Sequence, residues 1–247
     1  MKHLFATATI AFAIASTVSG QTGVENAVPS DVFEIGARKV RVPPPDGFTK
    51  IGLRFGHILS VQEAAEPAQN EIFALHLPTD RLPKYASDYD RSPDFYTKVS
   101  VSRIGRDEDI TPAEFNAVGA YVEKEFAKMT SVDSPGMTAG QRYVSKNLSD
   151  LQESKVKVKF DQPENLGVFD RTPRVHSTLT LLNLSVNKVQ YKFLATVSFV
   201  YVNMRLIYVY AYKRDPRQAD IEMLRDFTKK WTASIVAANE ELTAKSR

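Results

Sequence analysis

The side chains able to do chemistry in this sequence are few and far apart. Three histidines follow the first twenty residues, His57, His76 and His176. No two stand at the i, i+4 spacing that lets one helix face present a pair to a metal. Histidines so placed are expected to be structural groups satisfied within the fold. The alternative is a hydrolase or metal-dependent enzyme whose site is assembled from dispersed residues. His76 precedes Asp80 by four residues, and His176 shares a strand face with Thr178 and Thr180, so these groups would act together only if the fold gathers them. There is no cysteine, which excludes thiolate nucleophiles, thiolate zinc sites, disulfides and a lipid-bearing cysteine. No G-x-S-x-G elbow, P-loop or dinucleotide fingerprint occurs. A cofactor, a metal and a catalytic centre are therefore not expected.

Four further groupings have a chemical reading and a plain one. Asp88, Asp90 and Asp94 alternate in "SDYDRSPD" as oxygen ligands for calcium would, but the turn glycine is missing and Pro93 stiffens the loop, so a solvated loop is expected. Asp107, Glu108 and Asp109 stand just before a helix start, where negative charge suits the helix dipole. Lys155, Lys157 and Lys159 alternate with Val156, Val158 and Phe160. That basic face either meets an anionic partner or keeps one side of a strand in water and blunts a sheet edge. Phe199, Tyr208, Tyr210 and Tyr212 make an aromatic wall, which is either core under the final helix or the lining of a ligand cleft. The wall and the three lysines are the candidate ligand-contacting residues.

These side chains need elements to hold them. Val32–Ile35 and Val40–Val42 flank Gly36-Ala37 as a short hairpin. Pro43–Pro45 then forces an extended exit. Residues 57–66 suit a helix stopped by Pro67. Residues 71–77 suit a strand with Ile72, Ala74 and His76 on one face and Phe73, Leu75 and Leu77 on the other. A long polar loop fills 78–94, and 94–104 is a strand. "TPAEF" is a helix start: Thr111 caps, Pro112 takes the first position and Glu114 reaches back. Phe115, Val118, Val122 and Phe126 line one face, and Gly119 beside them would admit a close neighbour. "SVDSPGM" interrupts before a second helix carrying Tyr143, Val144, Leu148 and Leu151. Strands are expected at 155–160 and 176–184, with a loop between them. The chain finishes with a long amphipathic helix, capped by Asp215 with Pro216 in its first turn, whose stripe is Ile221, Leu224, Phe227, Trp231, Ile235 and Ala238.

The apolar stretch 192–213 is long enough to raise the question of a membrane span. Thr196, Ser198, Asn203 and Arg205 interrupt it, and β-branched and aromatic residues dominate. Folded at Asn203-Met204, it pairs Phe199 with Tyr208, Val197 with Tyr210 and Ala195 with Tyr212, with Arg205 at the tip in reach of water. A β-hairpin without a transmembrane span is expected.

The first twenty residues have the pattern of a cleaved signal peptide: Lys2 and His3, an apolar run from Leu4 to Ile14, then small residues up to Gly20. Residues 21–30 form a polar leader. A periplasmic or secreted protein is expected, with one domain over 31–243. The whole chain carries 32 basic and 29 acidic residues, a net of +3. That balance gives no reason to expect nucleic acid as a partner.

"VPPPDGF", the hairpin "VYVNMRLIYVYAY" and the helix end "WTASIVAAN" resemble motifs of uncharacterised exported bacterial proteins, in which a glycine stands where this chain has Met204. More distantly, the order of elements is similar to the PsbP-like fold, an antiparallel sheet between helices. That resemblance implies an accessory or binding role. The expected fold is α+β, a mainly antiparallel sheet with helices on its faces. The expected function is a non-enzymatic envelope protein that binds a protein partner or a small ligand.

Overall fold

The computed structural model describes residues 31–87, 93–128 and 135–245. The signal and leader segments, and Asp88 and Asp90 of the polar loop, lie outside the described residues. In chain order the elements are β1 (Val32–Ile35), β2 (Arg38–Arg41), β3 (Phe48–Lys50), α1 (Gly56–Ala65), β4 (Asn70–Pro78), α2 (Leu82–Ser87), β5 (Phe95–Ser102), α3 (Pro112–Lys128), α4 (Pro135–Gln152), β6 (Val158–Phe160), β7 (Glu164–Arg171), β8 (Val175–Val186), β9 (Val189–Val202), β10 (Arg205–Arg214) and α5 (Ala219–Lys245). Strands β1 and β2 form a separate hairpin. The other eight make one antiparallel sheet in the order β3-β4-β5-β10-β9-β8-β6, with β7 also pairing β8. The fold is α+β, as the pattern of strands and amphipathic helices requires.

The sheet is packed on both faces. Against one lie α1, α3 and α4, through Ile58, Val61, Phe115, Val118, Val144 and Leu148. Against the other lie α5 and the first hairpin, through Leu224, Trp231, Ile235, Ile35 and Val40. Alternation along β9 and β10 sets this division: Phe199, Tyr208, Tyr210 and Tyr212 point to the three-helix face, and Val200, Ile207 and Val209 to the α5 face. The aromatic wall is therefore not beneath the final helix, as the sequence suggested, but on the opposite side of the sheet.

The long hairpin has the expected register, Tyr201 with Leu206, Phe199 with Tyr208 and Ala195 with Tyr212. Asn203 and Met204 turn it with φ of +48° and +62°, the left-handed pair of a two-residue turn matched to sheet twist. The capping box also forms: Glu114 N donates to Thr111 Oγ1 at 3.2 Å and Thr111 N donates to Glu114 Oε2 at 2.8 Å.

Four local expectations are corrected. A bulge at Phe73 breaks the register between Ile72 and Ala74, so Phe73 joins Ala74 on the α5 side instead of Leu75 and Leu77. The final helix begins at Ala219. Asp215, at φ +48°, belongs to the bend before it and is no cap. The expected loop after Phe160 contains β7, whose Gly167 (φ +91°) and two register shifts erase the alternation that marks a strand. Helix α4 starts at Pro135, within the segment expected to interrupt the chain.

Candidate functional site

Alternate residues of β5 and β10 build the centre of the three-helix face. Tyr96 pairs with Tyr212, Lys98 with Tyr210 and Ser100 with Tyr208. The Tyr96 and Tyr212 rings stack at 4.7 Å. Lys98 is fully buried, its Nζ 4.9 Å from the Tyr210 ring centre and 5.7 Å from that of Tyr212, within cation–π reach. It donates to Glu66 Oε2 at the end of α1. A buried ammonium requires such a counter-charge, since either ion alone in the core would be strongly unfavourable. Gln62, one helical turn before Glu66, is also buried. Burial raises the hydroxyl pKa of Tyr208 to about 12. It holds those of Tyr210 and Tyr212 well above the usual value, with the nearby Glu66 charge acting in the same direction. All three phenols stay protonated. The wall, Phe199 included, is closed by α1, α3 and α4, with each ring less than a tenth exposed.

Lys155, Lys157 and Lys159 are all exposed, while Val156, Val158 and Phe160 between them are buried. The regular strand covers only Val158–Phe160, at one edge of the sheet. Lys159 pairs with Ser185, and Ser185 with Gln190 on β9; Asn183 pairs with the exposed Lys192. The exposed Lys188 stands in the β8–β9 turn. The apolar part of this face ends near Leu194, which packs with Leu224 of α5, and beyond it the sheet presents a polar, basic corner. The edge itself is closed by α4 and not by the lysines. Phe160 N donates to Gln141 Oε1, Val158 N to Ser145 Oγ and Val156 N to Ser149 Oγ, at 3.1, 2.9 and 2.8 Å. Four residues of helix advance about 6 Å and two of strand about 6.7 Å, so a helix row at i, i+4, i+8 keeps step with alternate strand amides.

The dispersed histidines are not brought together. His76, fully buried on β4, shares a 3.0 Å hydrogen bond with Thr97 and meets the Trp231 ring edge-on at 5.5 Å, on the α5 face. Burial, aided by the charge of Lys50, lowers its pKa to about 3, so it is neutral. His176 of β8 pairs with Phe199 of β9 and lies on the other face. There its Nε2 is 3.6 Å from Glu123 and its ring lies against Gly119, whose Cβ, were there one, would sit 3.2 Å from Nδ1. Three strands separate the two histidines. Asp80 is at the surface beside Arg81, and His57 is buried in α1. Asp94 pairs with Arg214. Among the described residues no group of three or more His, Cys, Asp or Glu side chains is placed to hold a metal, and no helix is long and apolar enough to cross a membrane.

Arg205 differs most from its expected place. It is 1% exposed, donating to Ile35 O at 3.0 Å, Glu108 O at 2.9 Å and the Asp109 carboxylate. Arg38 of the first hairpin pairs with the same carboxylate. Together the two guanidiniums hold the Asp109 pKa down to about 2. The loop 105–110 folds back beside the hairpin tip and takes Arg205 out of water, while Met204 stays exposed. Arg205, Lys98 and Glu66 are the charged residues that sequence reading misplaced or passed over. The signal for Lys98 was a lysine in mid-strand with Tyr96 and Ser100 on its own face.

No family model, no curated protein and no solved structure matches this chain.

Proposed function

We propose that this chain is an exported, non-enzymatic envelope protein that binds an acidic protein partner through the corner formed by Lys155, Lys157, Lys159, Lys188 and Lys192. The observation that carries this reading is the exposure of all five ammonium groups around one sheet corner, next to the uncharged polar side chains of Asn183, Ser185 and Gln190. Such a surface keeps its charge accessible and steers a partner of opposite sign. The signal-like N-terminus supports export. The separation of His76 from His176 supports a binding role over a dispersed hydrolytic site. The resemblance of the sequence's element order to PsbP-like accessory proteins agrees with this reading only as a fold analogy.

The test is photo-cross-linking in the envelope from a probe at Gln190, comparing the wild type with the Lys155→Glu, Lys157→Glu, Lys159→Glu triple variant. A discrete adduct that disappears in the triple variant and weakens with added salt is the expected result. An adduct of equal yield in both proteins would remove the lysine corner from the reading. The mass of the exported N-terminus tests cleavage before Gln21, and a full-length chain retained in the cytoplasm would refute export.

A further inference from the structure

The sequence holds one Asp-Gly step, Asp46-Gly47, and no Asn-Gly step. It forms the tip of the turn that leads from the proline run into β3. Phe48 N donates to Pro45 O at 3.0 Å, and Gly47 takes φ +77° at the third position, where such a turn favours glycine. Asp46 and Gly47 are both exposed. Among the described residues nothing hydrogen-bonds to the Asp46 carboxylate or to the Gly47 amide proton. A Cβ built on Gly47 would meet nothing within 4 Å, so no neighbour crowds that side of the turn. A free carboxyl beside an unhindered backbone nitrogen is the arrangement from which a five-membered imide closes, and glycine sets no side chain in its way. Asp94, Asp109, Asp150 and Asp220 differ on both counts. Their carboxylates are paired, and Phe, Ile, Leu and Ile follow them.

We propose that Asp46-Gly47 is a self-modification site, where the folded chain converts its aspartate to isoaspartate with water as the only co-reactant. The Gly47 nitrogen bonds to Asp46 Cγ, and the carboxyl hydroxyl leaves with the amide proton as one water. A second water then reopens the imide. Attack at the former side-chain carbonyl restores aspartate. Attack at the main-chain carbonyl breaks its bond to the Gly47 nitrogen and leaves the chain running through Cβ and Cγ. The composition returns to its starting value, and nothing is oxidised or reduced. The product carries one more main-chain carbon at a place pinned on its far side. Gly47 O receives Thr79 N at 2.9 Å, and the Phe48 ring packs on Phe95 and Phe227 at 5.0 and 5.2 Å. Strand β3 has only three residues, so the modified turn loosens this edge of the sheet from β4. The inference does not depend on the lysine corner, which lies at the opposite edge.

The experiment incubates the folded protein in mildly acidic water enriched in heavy oxygen and then maps its peptides by mass spectrometry. Each passage through the imide leaves one heavy oxygen in the chain. The expected result is that the peptide spanning Asp46-Gly47 gains that mass and splits into two chromatographic forms, one of them resistant to the endoproteinase that cuts before aspartate. Asp46→Glu, whose longer side chain closes such a ring far more slowly, should show neither change. Urea-unfolded wild type is the positive control. The site is overturned if the folded chain leaves this peptide unlabelled under conditions that label the unfolded chain, or if Asp46→Glu labels equally. Hydrogen exchange at the Thr79 amide gives a second reading. Faster exchange in the isoaspartate fraction is expected, and equal exchange in both fractions would overturn the loosening of β3.

Discussion

Ser145 of α4 accepts the amide proton of Val158 of β6 at 2.9 Å while its own hydroxyl proton goes to Gln141 O at 2.7 Å. One hydroxyl thus serves a helix and the edge of a sheet together. Ser145→Ala leaves the Val158 amide without an acceptor, at a cost of about 1–3 kcal/mol. Adding Ser149→Ala frees a second amide of the same edge. The double variant is expected to unfold at lower urea and to self-associate, because unpaired edge amides are templates for another strand. Urea melts and light scattering check both parts. A monodisperse double variant of wild-type stability would show that water replaces the helix without loss.

Asp109 gives the fold an acid limit. Arg38 and Arg205 hold its pKa near 2, against about 3.9 for an unfolded aspartate. The folded value is the lower one, so the contribution is complete above about pH 4 and disappears as pH falls toward 2. Asp109→Asn should flatten the stability profile between pH 4 and 2. Denaturant titrations at half-unit steps would show it, and an unaltered slope in the variant would rule out this carboxylate as the cause.

His76 acts in a higher window. Its folded pKa of about 3 lies below the unfolded value near 6.5, so the unfolded chain takes up a proton first. Stability is full above about pH 6.5 and falls steadily as pH drops toward 3. His57 and His176 are shifted in the same direction, chiefly by burial. His76→Phe should therefore retain only part of the loss between pH 7 and 5. Comparing unfolding free energies at those two values measures the difference.

The Lys98–Glu66 pair should show strong coupling. Lys98→Met alone leaves a carboxylate buried without a counter-ion, a loss of about 3–5 kcal/mol. Combined with Glu66→Leu, most of that loss should be recovered, since a packed apolar pair often equals a buried ion pair. A double-mutant cycle by chemical denaturation reads the coupling, and simple additivity would contradict it.

Met204 is a side chain in a backbone state that suits glycine. It adopts φ +62°, and its carbonyl, not its side chain, receives the Ile110 amide at 3.0 Å. Met204→Gly should raise stability by about 1 kcal/mol, the cost of a left-handed residue with a Cβ less the entropy glycine adds to the unfolded chain. Thermal melts would detect it, and a fall in melting temperature would mean that the methionine side chain contributes packing.

Period-two and period-3.6 patterns were readable where each element alternates cleanly. The β9–β10 register, the Thr111 capping box and the Trp231 stripe all came from local spacing. Gly119 also signalled a close neighbour, which proves to be His176. What was not readable depends on partners distant in sequence. Arg205 sits at a hairpin tip, and nothing local shows that residues 105–110 will fold over it. Lys98 looks exposed until Glu66 is placed beside it. The Phe73 bulge and the Gly167 kink disturb the very alternation by which strands are read. The face on which the tyrosines lie is fixed by the packing of whole helices, which spacing within one hairpin does not determine.

The hydrogen bonds that fasten the first hairpin to the body of the fold come from residues much later in the chain. Asn239 accepts from Arg41 N and donates to Arg41 O, Trp231 Nε1 donates to Pro43 O, Asn203 donates to Lys39 O and Arg205 to Ile35 O. A two-stranded ribbon is marginal by itself. On a ribosome the hairpin is therefore made early and secured late. At about 5–20 residues per second, on the order of ten seconds or more separates its emergence from that of Trp231. A translation product that stops short of α5 would carry Ile35, Val40 and Val42 uncovered, making the nascent chain a client for chaperones until α5 arrives.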